Sequence, residues 1–112
     1  MEIMSPEVEK IILKHVPPEH ISTCVARGDT RLHAARTPVR VGGETLSMPF
    51  RGHLIFIDLT PEENWEHPCL YLFINHNGHD VRPVRAELPP YDGEPPEEYV
   101  IIPLPSRPGI VD

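Results

Sequence analysis

Two histidines, His76 and His79, bracket an Asn-Gly pair in the stretch "HNGH", and a third, His53, opens the apolar run "HLIFIDL". Imidazole is the commonest protein ligand for metals, and three imidazoles with an open fourth position make the donor set of a catalytic zinc site. Asn-Gly is also the strongest short-range hairpin signal, because both central residues of a type I′ turn need positive φ. HNGH therefore reads first as a two-residue turn, with His76 facing His79, Ile74 facing Val81 and Leu72 facing Pro83. Symmetric pairing of "HLIFIDL" with "CLYLFIN" would set His53 opposite His76 and Ile55 opposite Ile74. His53, His76 and His79 would then share one rim, with opposed Cβ atoms roughly 5 Å apart, and are the candidate metal ligands.

A second constellation is "WEHPC", where His67 and Cys69 stand two residues apart and Asp58 is expected near Tyr71 across the strand pair. A thiolate paired with imidazole is a nucleophile. Residues i and i+2 of an extended chain lie roughly 6 to 7 Å apart, so Pro68 would have to bend the backbone for the two to meet. The chain contains no glycine-rich oxyanion segment, phosphate loop, dinucleotide fingerprint, HExxH or GxSxG. Cys24 and Cys69 are too widely spaced for a CxxC motif, and two cysteines define no disulfide framework. "RGD" at residues 27–29 is short enough to arise by chance.

These residues depend on the elements that carry them. "SPEVEKIILKHVPP" has Ser5 as N-cap, Pro6 in the first turn and Val8, Ile11, Ile12 and Val16 on one stripe, which predicts a helix ended by Pro17 and Pro18. "ISTCVA" reads as a short strand, and "VRVGGETLSM" as a hairpin turning at Gly42 and Gly43. The runs 53–59 and 69–75 are apolar on both alternating faces, the pattern of central strands covered on two sides. Between them, Thr60, Pro61 and Glu63 have capping-box spacing and predict one helical turn. After Leu88 comes "PPYDGEPPEE", acidic and proline-rich, and then "YVIIPLP", whose prolines restrict it to an edge strand or an extended docked segment.

The expected fold is α+β: an N-terminal helix on a mainly antiparallel sheet of four to six strands, with a proline-rich C-terminal segment. Residues 1–88 would form the core domain, and residues 89–112 a segment suited to docking on the core or on a partner. The predicted helix-side face holds Ile55, Ile57, Leu59, Leu70, Leu72, Ile74 and Val81; the other holds Leu54, Phe56, Tyr71, Phe73 and Val84 with Asp58, Asn75 and Arg82.

The 112 residues carry a formal charge of −7, which disfavours phosphate backbones and anionic lipid, so neither nucleic acid nor membrane is an expected partner. No apolar stretch reaches membrane-spanning length and no basic leader is present, which makes a cytoplasmic protein the expectation. One helix can cover only one side of a sheet, and a large apolar face left over usually marks an interface. The leading expectation is a non-enzymatic interaction or accessory module, binding a partner protein or a second copy as a homodimer. Its binding residues would be Phe56, Trp65, Tyr71, Phe73 and Tyr99, together with the C-terminal tail. No cofactor is expected on that reading. The alternatives are a small metal-dependent hydrolase using the three histidines, with zinc as the possible metal, and a Cys69–His67 thiol enzyme.

Overall fold

The computed structural model describes residues 2–63 and 66–104. Seven strands and one α-helix follow in order: α1 (Pro6–His15), β1 (Val25–Asp29), β2 (Pro38–Val41), β3 (Glu44–Ser47), β4 (Gly52–Asp58), β5 (Cys69–Asn75), β6 (Val81–Ala86) and β7 (Tyr99–Ile102). Five of them form one sheet in the order β6-β5-β4-β1-β7, every neighbouring pair antiparallel, while β2 and β3 form a separate hairpin. No helix among the described residues is long and apolar enough to cross a membrane.

Ser5 caps α1 by accepting from the Val8 N–H at 3.4 Å, and Pro6 occupies the first turn, where its missing donor costs nothing. The helix stops at Val16, which turns extended ahead of Pro17. Val8, Ile12 and Val16 are buried against Ile55, Ile57, Leu70, Leu72 and Ile74, so α1 closes one face of the sheet. Val81 packs at the margin of the same cluster.

The other face is closed by the chain itself. Val39 and Val41 of β2, together with Met48, are buried against Leu54, Phe56, Cys69, Tyr71, Phe73 and Tyr99, with Leu46, Val84 and Tyr91 at the margin. Gly42 has φ 63 in the two-residue loop between the Val41 and Glu44 pair, the conformation that closes the tight turn joining β2 to β3. Full burial of each large apolar side chain stabilises by roughly 1.5–3 kcal/mol, so the hairpin is integral to the core. The aromatic face is thus an interior in which Phe56 is 2% and Tyr71 0% exposed.

The strand predicted over "ISTCVA" begins later, at Val25, because residues 21–23 form turns instead. It carries Arg-Gly-Asp into the middle of the sheet, with Asp29 only 1% exposed, a position unsuited to an adhesion motif. The helical turn predicted after Thr60 is a hydrogen-bonded turn and not a helix, closed by the Glu63 N–H donating to Thr60 O at 3.0 Å. At the C-terminal end, β7 pairs with β1 along the sheet edge, and Tyr91 packs edge-on against both Phe56 and Tyr99, at centroid distances of 6.0 and 5.5 Å.

Candidate functional site

The β4–β5 register decides which polar groups meet. Symmetric pairing would have put His53 opposite His76, but His53 faces Ile74 and Ile55 faces Leu72, a displacement of two residues. The cause lies at the other end of the pair, where Asp58 and Cys69 are the last partners and the Leu59 N–H donates to Pro68 O at 3.3 Å. Asp58 Oδ1 accepts from the Thr60 N–H at 3.2 Å and from His67 Nε2 at 2.9 Å, binding both ends of the connecting loop to one carboxylate. A shift of two keeps every side chain on its expected face.

The HNGH turn also differs from its two-residue expectation. The Asn75 N–H donates to Asp80 O at 2.8 Å and the Gly78 N–H to Asn75 O at 2.7 Å, so residues 76–79 form a four-residue loop. Gly78 has φ 78, whereas Asn77 stays outside the left-handed region, so this is not a type I′ turn. Asn77 Oδ1 instead accepts from the His79 N–H at 2.8 Å. The β5–β6 register is nevertheless the expected one, with Ile74 opposite Val81 and Leu72 opposite Pro83.

His76 and His79 are exposed at that tip, and the buried His53 donates Nδ1–H to Arg31 O at 3.1 Å. The three do not form a ligand group. Among the described residues the one cluster of three or more His, Cys, Asp or Glu donors within metal-binding reach is Asp58, His67 and Cys69, whose donor atoms lie within 4.8 Å of one another.

That cluster combines the "WEHPC" residues with the carboxylate now opposite Cys69 instead of Tyr71. An ionised carboxylate only accepts, so the His67 Nε2–H points at Asp58. The Cys69 S–H donates to His67 O at 3.4 Å, and its thiol is pushed up to about 12 by burial and then by the negative charges of Asp58 and Glu87. A metal-free Cys69 is therefore a neutral thiol at physiological pH, the opposite of the activated thiolate that nucleophilic catalysis needs.

A second polar centre was not foreseen. Asp29 accepts from the Arg31 backbone N–H at 3.0 Å, from Arg31 Nε and Nη2 at 2.9 Å each, and from His33 Nε2 at 2.8 Å. Burial alone would raise its carboxyl, but the bonds from Arg31 and His33 outweigh burial and hold it below the usual range. The spacing of Asp29, Arg31 and His33 is visible in the sequence, but its meaning depends on Asp29 ending a central strand.

Of the residues expected to bind a partner, Phe56, Tyr71, Phe73 and Tyr99 lie in the closed aromatic core, and Trp65 lies outside the described residues. Tyr71 is an internal strut: its hydroxyl donates to Leu88 O at 2.7 Å and accepts from the Gly42 N–H at 2.9 Å. Comparison with family models, with curated proteins and with solved structures finds no match.

Proposed function

We propose that this chain is a non-enzymatic interaction module that receives an extended segment of a partner protein along the outer edge of β7. The observation that carries the reading is the state of that edge. Among the described residues no strand lies outside β7, and its Ile101 is 54% exposed, the most exposed large hydrophobic side chain. The Thr30 N–H donates to Glu98 O at 2.8 Å, so the antiparallel alternation turns Val100 and Ile102 toward β1 and leaves the Ile101 N–H and C=O pointing outward. Unpaired backbone groups beside an apolar side chain suit strand addition, in which main-chain bonds give affinity and alternate side chains give specificity.

The opposite edge is better guarded, since β6 carries Arg82, Pro83 and Arg85, the charges and proline that discourage edge pairing. Glu94, Glu97 and Glu98 lead into β7, which favours a partner segment whose apolar residues are flanked by Lys or Arg. The aromatic side chains contribute from beneath, by holding Tyr91 and Tyr99 in place at the root of that edge.

The test is selection from a displayed library of peptides in extended form, followed by titration against the parent chain and Ile101→Pro. Proline there removes an outward donor, which an edge strand tolerates, yet it blocks addition of a further strand. Basic-flanked apolar peptides that bind the parent and lose at least tenfold in affinity with Ile101→Pro support the reading. Selection that yields no such peptide, or peptides that bind both chains equally, overturns it. Light scattering is run alongside: a dimer that Ile101→Pro converts to monomer would make a second copy the occupant and overturn the partner-segment reading.

A further inference from the structure

We propose that Asp58, His67 and Cys69 form a mononuclear zinc site with a fourth position open to solvent. The proposal stands on placement. Asp58 and Cys69 are direct partners across β4 and β5, both on the aromatic face, and the connecting loop brings His67 back to within 2.9 Å of Asp58. One carboxylate oxygen, one imidazole nitrogen and one sulfur thereby converge with their atoms within 4.8 Å of one another. Zinc bonds of about 2.0–2.3 Å to such donors put neighbouring ligand atoms roughly 3 to 4 Å apart, so the three need only small side-chain rotations to share one ion.

The donor types select the metal. Magnesium and calcium take oxygen ligands, whereas a mixed oxygen, nitrogen and sulfur set is suited to zinc. Coordination replaces the S–H proton of Cys69, which passes to solvent. At His67 the ring proton moves from Nε2, where Asp58 accepts it, to Nδ1, so the neutral imidazole binds through Nε2 and the Cys69 proton is the one released. The charges acting on Cys69 are those of Asp58 and Glu87, both negative, which favours a cation there although Arg85 lines the same surface depression.

Surface depressions reach the cluster at two of its three members. Cys69 lines that depression, and Asp58 lines a second one of about 300 Å³ bounded by Arg27, Phe56, Pro61, Pro89 and Tyr91 among others. Three protein ligands and an exchangeable water follow as the coordination sphere. The ion would join the end of the β4–β5 ladder to the loop that connects those strands, whose ends are already tied by the Asp58 carboxylate.

The experiment is titration of the whole tag-free chain with cobalt(II) alone, followed by displacement with zinc(II), with native mass spectrometry for stoichiometry. One equivalent of cobalt should bring up a thiolate-to-cobalt charge-transfer band that zinc removes. The band should vanish in Cys69→Ser, while Asp58→Asn and His67→Ala weaken zinc binding at least about 100-fold. Cys24→Ser and the double variant His76→Ala, His79→Ala should bind as the parent does. Absence of the band in the parent, its survival in Cys69→Ser, or its loss in Cys24→Ser overturns the site. Far-UV circular dichroism accompanies each variant; should Cys69→Ser fail to fold, Asp58→Asn decides, and parent-like affinity in a folded Asp58→Asn overturns the proposal.

Discussion

Tyr71 and Gly42 are joined across the two layers of the aromatic core: the backbone N–H of the hairpin turn donates to the tyrosine hydroxyl at 2.9 Å. Because the same hydroxyl donates to Leu88 O, one oxygen holds the β2–β3 turn and the chain after β6 against β5. Tyr71→Phe keeps the ring but leaves a buried N–H and a carbonyl without that partner. An unsatisfied buried group costs about 1–3 kcal/mol, so the urea midpoint should fall accordingly. Hydrogen exchange should speed up at Gly42 more than at the centre of β5, which separates loosening of the hairpin from global destabilisation.

Asp29 should impose an acid limit on stability. Its carboxyl is held below the ordinary range, so its contribution is present above the unfolded-state value near 3.9 and is lost as pH falls through the folded value. The parent chain should therefore lose stability on acidification below about pH 4. Asp29→Asn should be destabilised at neutral pH by about 1.5–3 kcal/mol, the worth of hydrogen bonds to a charged group, and should show a shallower acid decline. Thermal unfolding from pH 7 to pH 2.5 measures both; parallel curves for the two chains would remove Asp29 from the explanation.

Arg36 has φ 69 in the turn where the Thr37 N–H donates to Ala34 O, a left-handed position that a side chain occupies at a cost. Arg36→Gly relieves that strain while increasing the freedom of the unfolded chain. Relief is worth about 1–2 kcal/mol and the entropy penalty takes back part of it, so a net gain of up to about 1 kcal/mol is expected. Equilibrium urea unfolding should show the midpoint rising without a change in slope.

Thiol chemistry should divide the two cysteines. Cys69 is buried, with its thiol pushed up to about 12, whereas Cys24 is half-buried. In native, metal-free protein at pH 8, iodoacetamide should modify Cys24 first, and Cys69 should react at a comparable rate only after denaturation. Peptide mapping at timed intervals gives the two rates.

The face assignments of β4 and β5 were legible because side-chain alternation has a period of two, and an even error in register leaves it intact. The register itself was not, since it is set by Asp58 holding Thr60 and His67, contacts that no spacing rule ranks above a symmetric loop. That single displacement separates His53 from His76 and brings Asp58 to Cys69. β1 was obscured for another reason: Arg27 and Asp29 look like a solvated segment, and the burial of Asp29 depends on Arg31, His33 and strands at both flanks. Gly28 carried a faint signal, for a Cβ there would collide with the side chains of Ile3 and Ile102. The hairpin was visible as a hairpin, but the sequence contains no local mark of the surface it covers.

The placement of β1 between β4 and β7 also orders events in time. The β4–β5–β6 meander joins neighbours in the chain and can assemble as soon as Ala86 is available, since short loops close cheaply. β1, made far earlier, gains its second flank only when Tyr99–Ile102 arrives, pairing Ala26 with the sequence-distant Ile102. Until then a growing polypeptide carries a sticky, half-zipped strand, and non-local pairing of this kind slows folding. Synthesis of β7 is what ends that vulnerable interval.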